Sequence, residues 1–264
     1  MKKIFPSEFV FSVYSLLISF IVVHAVYVAV IRPNAAAFLE KEKAGMAADP
    51  NYVKQRSIYV IVGDYEQEAC FVLMIWAFAI LGYKWRTAYR QQKQLDQDFI
   101  GLPESAVIKV TDAGMISKRI RMLPDTAREY LLPRVLLGAL DRFASTKNIQ
   151  DASTVVNNLC EEESSRLESE LSIIRYIAWA IPSIGFIGTV RGIGDALAQA
   201  HLAVDGDITL VTRSLGVAFN STFIALVISI ILMFIIHQIQ LTQERLVLDT
   251  FRYSTKWLID RLEQ

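Results

Sequence analysis

Residues 9–31 contain no Asp, Glu, Lys or Arg and only one side chain that titrates near neutral pH, His24. A bilayer core about 30 Å thick is crossed by a helix of ~20 mostly apolar residues, and this stretch meets that length. In hydrocarbon every backbone N–H and C=O has to be satisfied within the segment, so such a stretch can only be helical. A cleaved signal peptide would have a shorter apolar core followed by small residues. Here the run ends in Ile31-Arg32-Pro33, so it is expected to stay as a first membrane span.

Three further stretches follow. The second span covers about 69–85, where Asp64, Glu66 and Glu68 are expected to stop it from extending backwards and Trp76, Tyr83 and Trp85 supply an interfacial anchor. The third, about 174–197, is the most polar, with Pro182, Gly185, Gly188, Thr189, Arg191, Gly192 and Asp195. A helix carrying these groups cannot face lipid on all sides. The fourth, about 215–239, is interrupted by Asn220, Ser221, Thr222 and Ser229 and runs into a charged amphipathic tail.

The expected fold class is all-α: a polytopic membrane protein with four transmembrane helices and a helical cytoplasmic domain between the second and third. The expected divisions are 1–85, the first two spans with an outer loop; 86–172, the cytoplasmic domain; 173–240, the last two spans; and 241–264, a cytoplasmic C-terminal helix. Pro103, Pro124 and Pro133 break the central region into three or four helices. Orientation follows from basic residues near the span ends. Lys2, Lys3, Lys84, Arg86, Arg90, Lys93, Arg166, Arg175, Arg245, Arg252, Lys256 and Arg261 place both termini and the central region in the cytoplasm. The other two loops then face outwards, one mixing Arg32, Lys41, Lys43, Lys54 and Arg56 with acids, the other carrying Asp205, Asp207 and Arg213.

The whole composition agrees with a bilayer protein, at 53% hydrophobic residues and a mean hydropathy of +0.34. Lys+Arg and Asp+Glu are equal at 27 each, so charge gives no argument for a nucleic-acid partner. The two cysteines, Cys70 and Cys160, fall in different compartments or at a membrane edge, which argues against a disulfide. The histidines, His24, His201 and His237, are scattered, and neither a His-Glu-x-x-His string nor a glycine-rich loop with Lys occurs. Neither an enzyme nor a resident metal or cofactor is expected.

At ~100° per residue, Gly185, Gly188, Thr189, Gly192 and Ala196 share one face of the third span. Ala218, Thr222, Ala225 and Ser229 form a matching stripe on the fourth, with Asn220 nearly opposite. Such small-residue faces suit a tight helix contact in lipid. They also put one threonine on each surface, where the pair could line a water-accessible path or touch an inserted helix. A membrane threonine ordinarily bonds the carbonyl one turn earlier on its own helix. Pro182 frees a carbonyl in mid-span, which protein or water has to satisfy again, and suggests a bend or hinge. Arg191 and Asp195, four apart, are expected to form a local ion pair, and His24 to be a satisfied bundle residue. No span has an acid near its centre, so ion conduction would require a partner to bring one.

The string Ile181-Pro182-Ser183-Ile184-Gly185-Phe186-Ile187-Gly188-Thr189-Val190-Arg191-Gly192-Ile193 resembles the motif of the MotA/TolQ/ExbB proton-channel family. The segment from Ser214 to Leu226, with its threonine at Thr222, is similar to that family's last span. The resemblance implies a pentamer around two transmembrane helices of a single-span MotB/ExbD/TolR-like subunit, each helix carrying an ion-binding aspartate. It implies that Thr189 and Thr222 line the ion path, that Pro182 matches the proline of the flagellar members, and that Gly185, Gly188 and Gly192 permit close packing around the central pair. Four spans resemble the flagellar stators, whereas the Gly-Thr-Val string is closer to the three-span members. Val217 stands where a glutamate is common in the latter, and Arg191 is unusual in the motif.

The candidate residues for ion path and partner contact are therefore Thr189, Thr222, Pro182, Gly185, Gly188, Gly192 and Ser229, with Asn220, Ser221, Arg191 and Asp195 beside them. The expected function is the channel-forming stator subunit of an inner-membrane motor driven by protons, with sodium as the other candidate ion. A non-conducting membrane scaffold that recruits partners through its cytoplasmic helices is the alternative.

Overall fold

A computed structural model of the chain describes residues 7–48, 52, 55–103, 106–204 and 207–263. Lys2, Lys3, Lys54 and Asp205, used above to argue orientation, lie outside the described residues. The described residues are helical, with a lone parallel bridge between Ile108 and Leu262 and no strand.

Helix α1 (Ser7–Val26) passes through one π-helical turn (Tyr27–Ile31) into α2 (Arg32–Ala48). The helical run thus continues well beyond the expected end of the first span. Its continuation is rich in alanine, the best helix former. A four-residue α3 (Ile58–Ile61) precedes α4 (Tyr65–Gln92). Of the acids expected to halt the second span, Asp64 lies just before this helix, and Glu66 and Glu68 lie inside it, in its first turn. An acid there complements the helix dipole, and both are ion-paired with other helices. Next come α5 (Val110–Arg121), the short α6 (Asp125–Arg128) and α7 (Leu131–Thr146), which ends on Lys147 in the left-handed region at φ 54°. Helix α8 (Ile149–Ala198) and, after the short α9 (Ala200–Val204), helix α10 (Thr209–Trp257) are single elements of 50 and 49 residues. The Asn148 side chain accepts the Gln150 N–H at 2.8 Å at the start of α8, and Asp207 accepts that of Thr209 at 2.9 Å before α10. Both satisfy N-terminal donors that a helix leaves free. Among the described residues four helices, Phe9–Ala48, Tyr65–Gln92, Ile149–Ala198 and Thr209–Arg261, are long and apolar enough to cross a membrane.

The chain divides into two compact units, and α4, α8 and α10 contribute to both. The first unit, Met1–Leu81 with Ile173–Ile236, holds the apolar parts of the four long helices. Val23, Tyr27 and Val72 form one buried cluster, and Ile174, Ile177, Ile181, Ala225, Ile228 and Leu232 are buried along α8 and α10. Large apolar side chains such as Ile21, Trp179, Phe219 and Ile230 are two-thirds or more exposed, as suits helices whose outer faces meet hydrocarbon rather than water.

The second unit, Gly82–Ser172 with His237–Gln264, has a soluble-type core. Ile108, Ile120, Leu136, Leu140, Phe143 and Leu258 are fully buried there. Gln91 accepts the Leu131 N–H at 3.1 Å, tying the end of α4 to the start of α7. The C-terminal residues are fastened by the Ile108 N–H to the Arg261 carbonyl at 2.7 Å and the Glu263 N–H to the Ile108 carbonyl at 3.0 Å. Glu163, 1% exposed, is held between Arg134 at 3.2 Å and Arg166 at 2.6 Å. Buried Lys84 meets Glu170 at 2.7 Å. Each is a buried charge kept tolerable by a partner.

Candidate functional site

The two motif helices meet along their small-residue faces. A Cβ on Gly185 would lie 2.4 Å from Ala225 Cβ, one on Gly188 would lie 2.5 Å from Ser221 Cβ, and one on Gly192 would lie 2.8 Å from Ala218 Cβ. Backbones therefore approach as only glycine allows, and the partner in that contact is the chain's own α10. The three glycines and Ala218, Ser221 and Ala225 are buried in this seam.

That approach decides the hydrogen bonding of the threonines. With no side chain on Gly185, its carbonyl comes within 3.1 Å of Thr222 Oγ1. The Ala218 carbonyl lies 3.1 Å from Thr189 Oγ1, and Thr189 reaches the Gly185 carbonyl only at 3.3 Å. Gly185 and Ala218 are the residues one turn before Thr189 and Thr222. Each hydroxyl thus takes up the carbonyl that the other would use on its own helix. The two hydroxyl oxygens also lie within hydrogen-bonding reach of each other, a contact that competes with one of the carbonyl bonds for its proton. Each has one proton to donate, so between them they leave oxygen lone pairs free. Both threonines are half-buried at the edge of the seam.

Pro182 lies inside α8 and has no N–H for the Ala178 carbonyl. Ser229 Oγ donates to that carbonyl at 3.0 Å from α10. The fourth span thus supplies the replacement bond that a proline in a membrane helix requires. Nearby, the Cys70 thiol lies 3.7 Å from the Ile181 carbonyl, a contact from α4 to the same stretch of α8.

The remaining candidates have other partners. Buried Ser221 donates to the Val217 carbonyl at 2.9 Å and accepts from Gln67 Nε2 at 3.2 Å. Asn220 lines a separate crevice of the first unit with Lys43, Asp64 and Arg213. Arg191 does not rely on the expected local pair. Its guanidinium forks onto Glu66 at 2.7 and 2.8 Å, while Asp195 stands 3.8 Å away. A planar fork of this kind is the stronger interaction. His24, expected to be satisfied, donates from Nδ1 to Glu68 at 2.7 Å, and Glu68 also binds Arg32.

The sequence marked Glu66 and Glu68 only as stops of the second span and assigned Gln67 no role, yet these three consecutive polar residues tie α4 to α8, α10 and the first helix. Their signal was their position at the edge of an apolar run, where acids read equally as a stop. Among the described residues no group of three His, Cys, Asp or Glu is placed to hold a metal ion.

Comparison with curated proteins and with solved structures finds no match. The two motif spans, the second half of the central region and most of α10 fall within one family match. Residues 127–250 match the model of the MotA/TolQ/ExbB proton channel family.

Proposed function

We propose that this chain is the channel-forming stator subunit of an ion-driven motor in the bacterial inner membrane, with both termini and the second unit in the cytoplasm. Five copies surround two copies of a single-span MotB/ExbD/TolR-like subunit, whose membrane aspartate carries the ion, a proton in the first instance. The observation that carries this reading is the exchanged hydroxyl pair, Thr189 and Thr222, on the family's two motif helices. Their carbonyl bonds fix both hydroxyls at the seam, and their free lone pairs offer a site that accepts a hydrogen bond from a hydrated or protonated group. Glycines 185, 188 and 192 bring the hydroxyls together through the intrachain seam, and Ser229 keeps Pro182 tolerable within α8.

The energy is sufficient for stepwise work. One charge crossing ~100 mV releases ~2.3 kcal/mol, so a few ions per step exceed thermal energy several-fold. The test is proton uptake by vesicles holding the chain with its partner. Thr189→Val and Thr222→Val are expected to lose uptake while complexes of unchanged stoichiometry are recovered, and Thr→Ser at either position is expected to retain it. Full uptake in both valine variants would remove the hydroxyls from the path. A complex without a second polypeptide would favour a scaffold.

A further inference from the structure

The first unit contains a second polar constellation, built between α1, α2 and α4. Glu68 is 7% exposed and lies between an imidazole and a guanidinium, with His24 Nδ1 at 2.7 Å from Oε1 and the Arg32 guanidinium on Oε2. In a regular α-helix eight residues turn through ~800°, which would set His24 and Arg32 ~80° apart. The π turn at Tyr27–Ile31 accommodates one extra residue. The pair then stands as if seven residues apart, within ~20° of one another, so both reach the same carboxylate. Single π turns of this kind recur at functional sites.

Its exposure pattern gives the cluster a sign. The carboxylate side chain is 10% exposed, whereas those of His24 and Arg32 are 49% and 30% exposed. The carboxylate is covered, and the imidazole and the permanently charged guanidinium are displayed. Arg32, permanently charged, keeps donors beyond the one on Glu68, and His24 Nε2 has no protein partner among the described residues. Arg32 also stacks over the exposed Tyr65 ring at 4.5 Å.

Below this rim lies an apolar crevice of about 470 Å³, floored by Phe20, Ala69, Val72, Leu73 and Ile184. At ~1.5 Å per residue, His24 stands ~22 Å along the first span from Phe9 and Arg32 ~34 Å. In a core ~30 Å thick, the rim falls at the far hydrocarbon boundary with the crevice beneath it. A greasy slot with guanidinium, imidazole and phenol at its mouth matches one occupant in shape and charge.

We propose that this crevice is a binding site for an anionic phospholipid, its acyl chain in the slot and its phosphodiester on Arg32 and His24. The lipid phosphate supplies the acceptor that the remaining Arg32 donors and His24 Nε2 leave wanted, and it joins α1 to α4 at the membrane surface.

The full-length chain in nanodiscs of equimolar phosphatidylglycerol and phosphatidylcholine, released for native mass spectrometry, reads the retained lipid directly. Wild type is expected to retain phosphatidylglycerol over phosphatidylcholine by about tenfold, because both lipids offer a phosphodiester but only phosphatidylcholine brings a choline cation beside Arg32. Arg32→Gln with His24→Gln is expected to reduce that ratio to near one while total lipid retention persists. Val72→Trp, which fills the floor, is expected to lose both lipids with the headgroup residues intact. Because removing cations could loosen α1, helix content and thermal unfolding are followed in parallel. Glu68→Gln, which removes the counter-charge but keeps Arg32 and His24, is expected to maintain or raise the preference. Equal retention of the two lipids by wild type would overturn the site, as would an undiminished preference in the double variant.

Discussion

A hydroxyl in a membrane helix has few places to send its proton, and here the choice is set by the neighbouring helix. Ser229 stands on the threonine stripe, yet its task is to satisfy the Ala178 carbonyl that Pro182 leaves open. Ser229→Ala is expected to destabilise the protein by about 1 kcal/mol. With Pro182→Ala in place the carbonyl regains an amide partner, so the second substitution is expected to cost much less. A double-mutant cycle on unfolding in detergent measures that coupling. Additive effects would mean that Ser229 does not serve the proline. In the second unit, burial with Glu163 nearby pushes the Cys160 thiol up to about 11. At neutral pH it is protonated and covered, so a thiol reagent is expected to modify it only after unfolding. Rapid labelling of the native protein would contradict the burial.

At the scale of elements, the seam between α8 and α10 is as close as its glycines allow. Gly185→Leu is expected to force the helices apart and abolish recovery of folded protein, because even a Cβ would lie 2.4 Å from Ala225. The contrast is Gly114 in α5, where a Cβ would meet nothing within 4 Å. Gly114→Ala is expected to stabilise by about 0.5–1 kcal/mol, since alanine loses less backbone freedom in a helix. Thermal unfolding of both variants checks the pair. Helix α4 is bound by different means. Gln67 reaches Ser221, Glu66 reaches Arg191, and Glu68 reaches His24 and Arg32. Three successive residues point three ways around a helix, so one short polar stretch fastens α4 to every other long helix of the unit.

At the scale of the molecule, hydrophobicity alone made the four long helices legible, because length and freedom from charge are properties of composition along the chain. The glycine faces and the need to repair Pro182 were legible for the same kind of reason: a period of 3.6 and a missing N–H are local facts. Partner choice was not. Two charges four residues apart made Arg191–Asp195 the obvious pair, but a residue 125 positions away presents the better fork. Acids at 66 and 68 marked the end of an apolar run in the sequence and became its internal anchors once cations arrived from other helices. The amino-acid sequence by itself determined that this protein is helical, that it has membrane-length spans and that two of them carry small faces with one hydroxyl each. Only the tertiary structure decided that those faces close on each other within one chain and that the threonines exchange carbonyls. It also decided that a π turn brings His24 and Arg32 to one carboxylate. The reason is physical: apolar burial follows from local pattern, whereas a polar group's partner depends on which atoms distant segments bring within 3 Å.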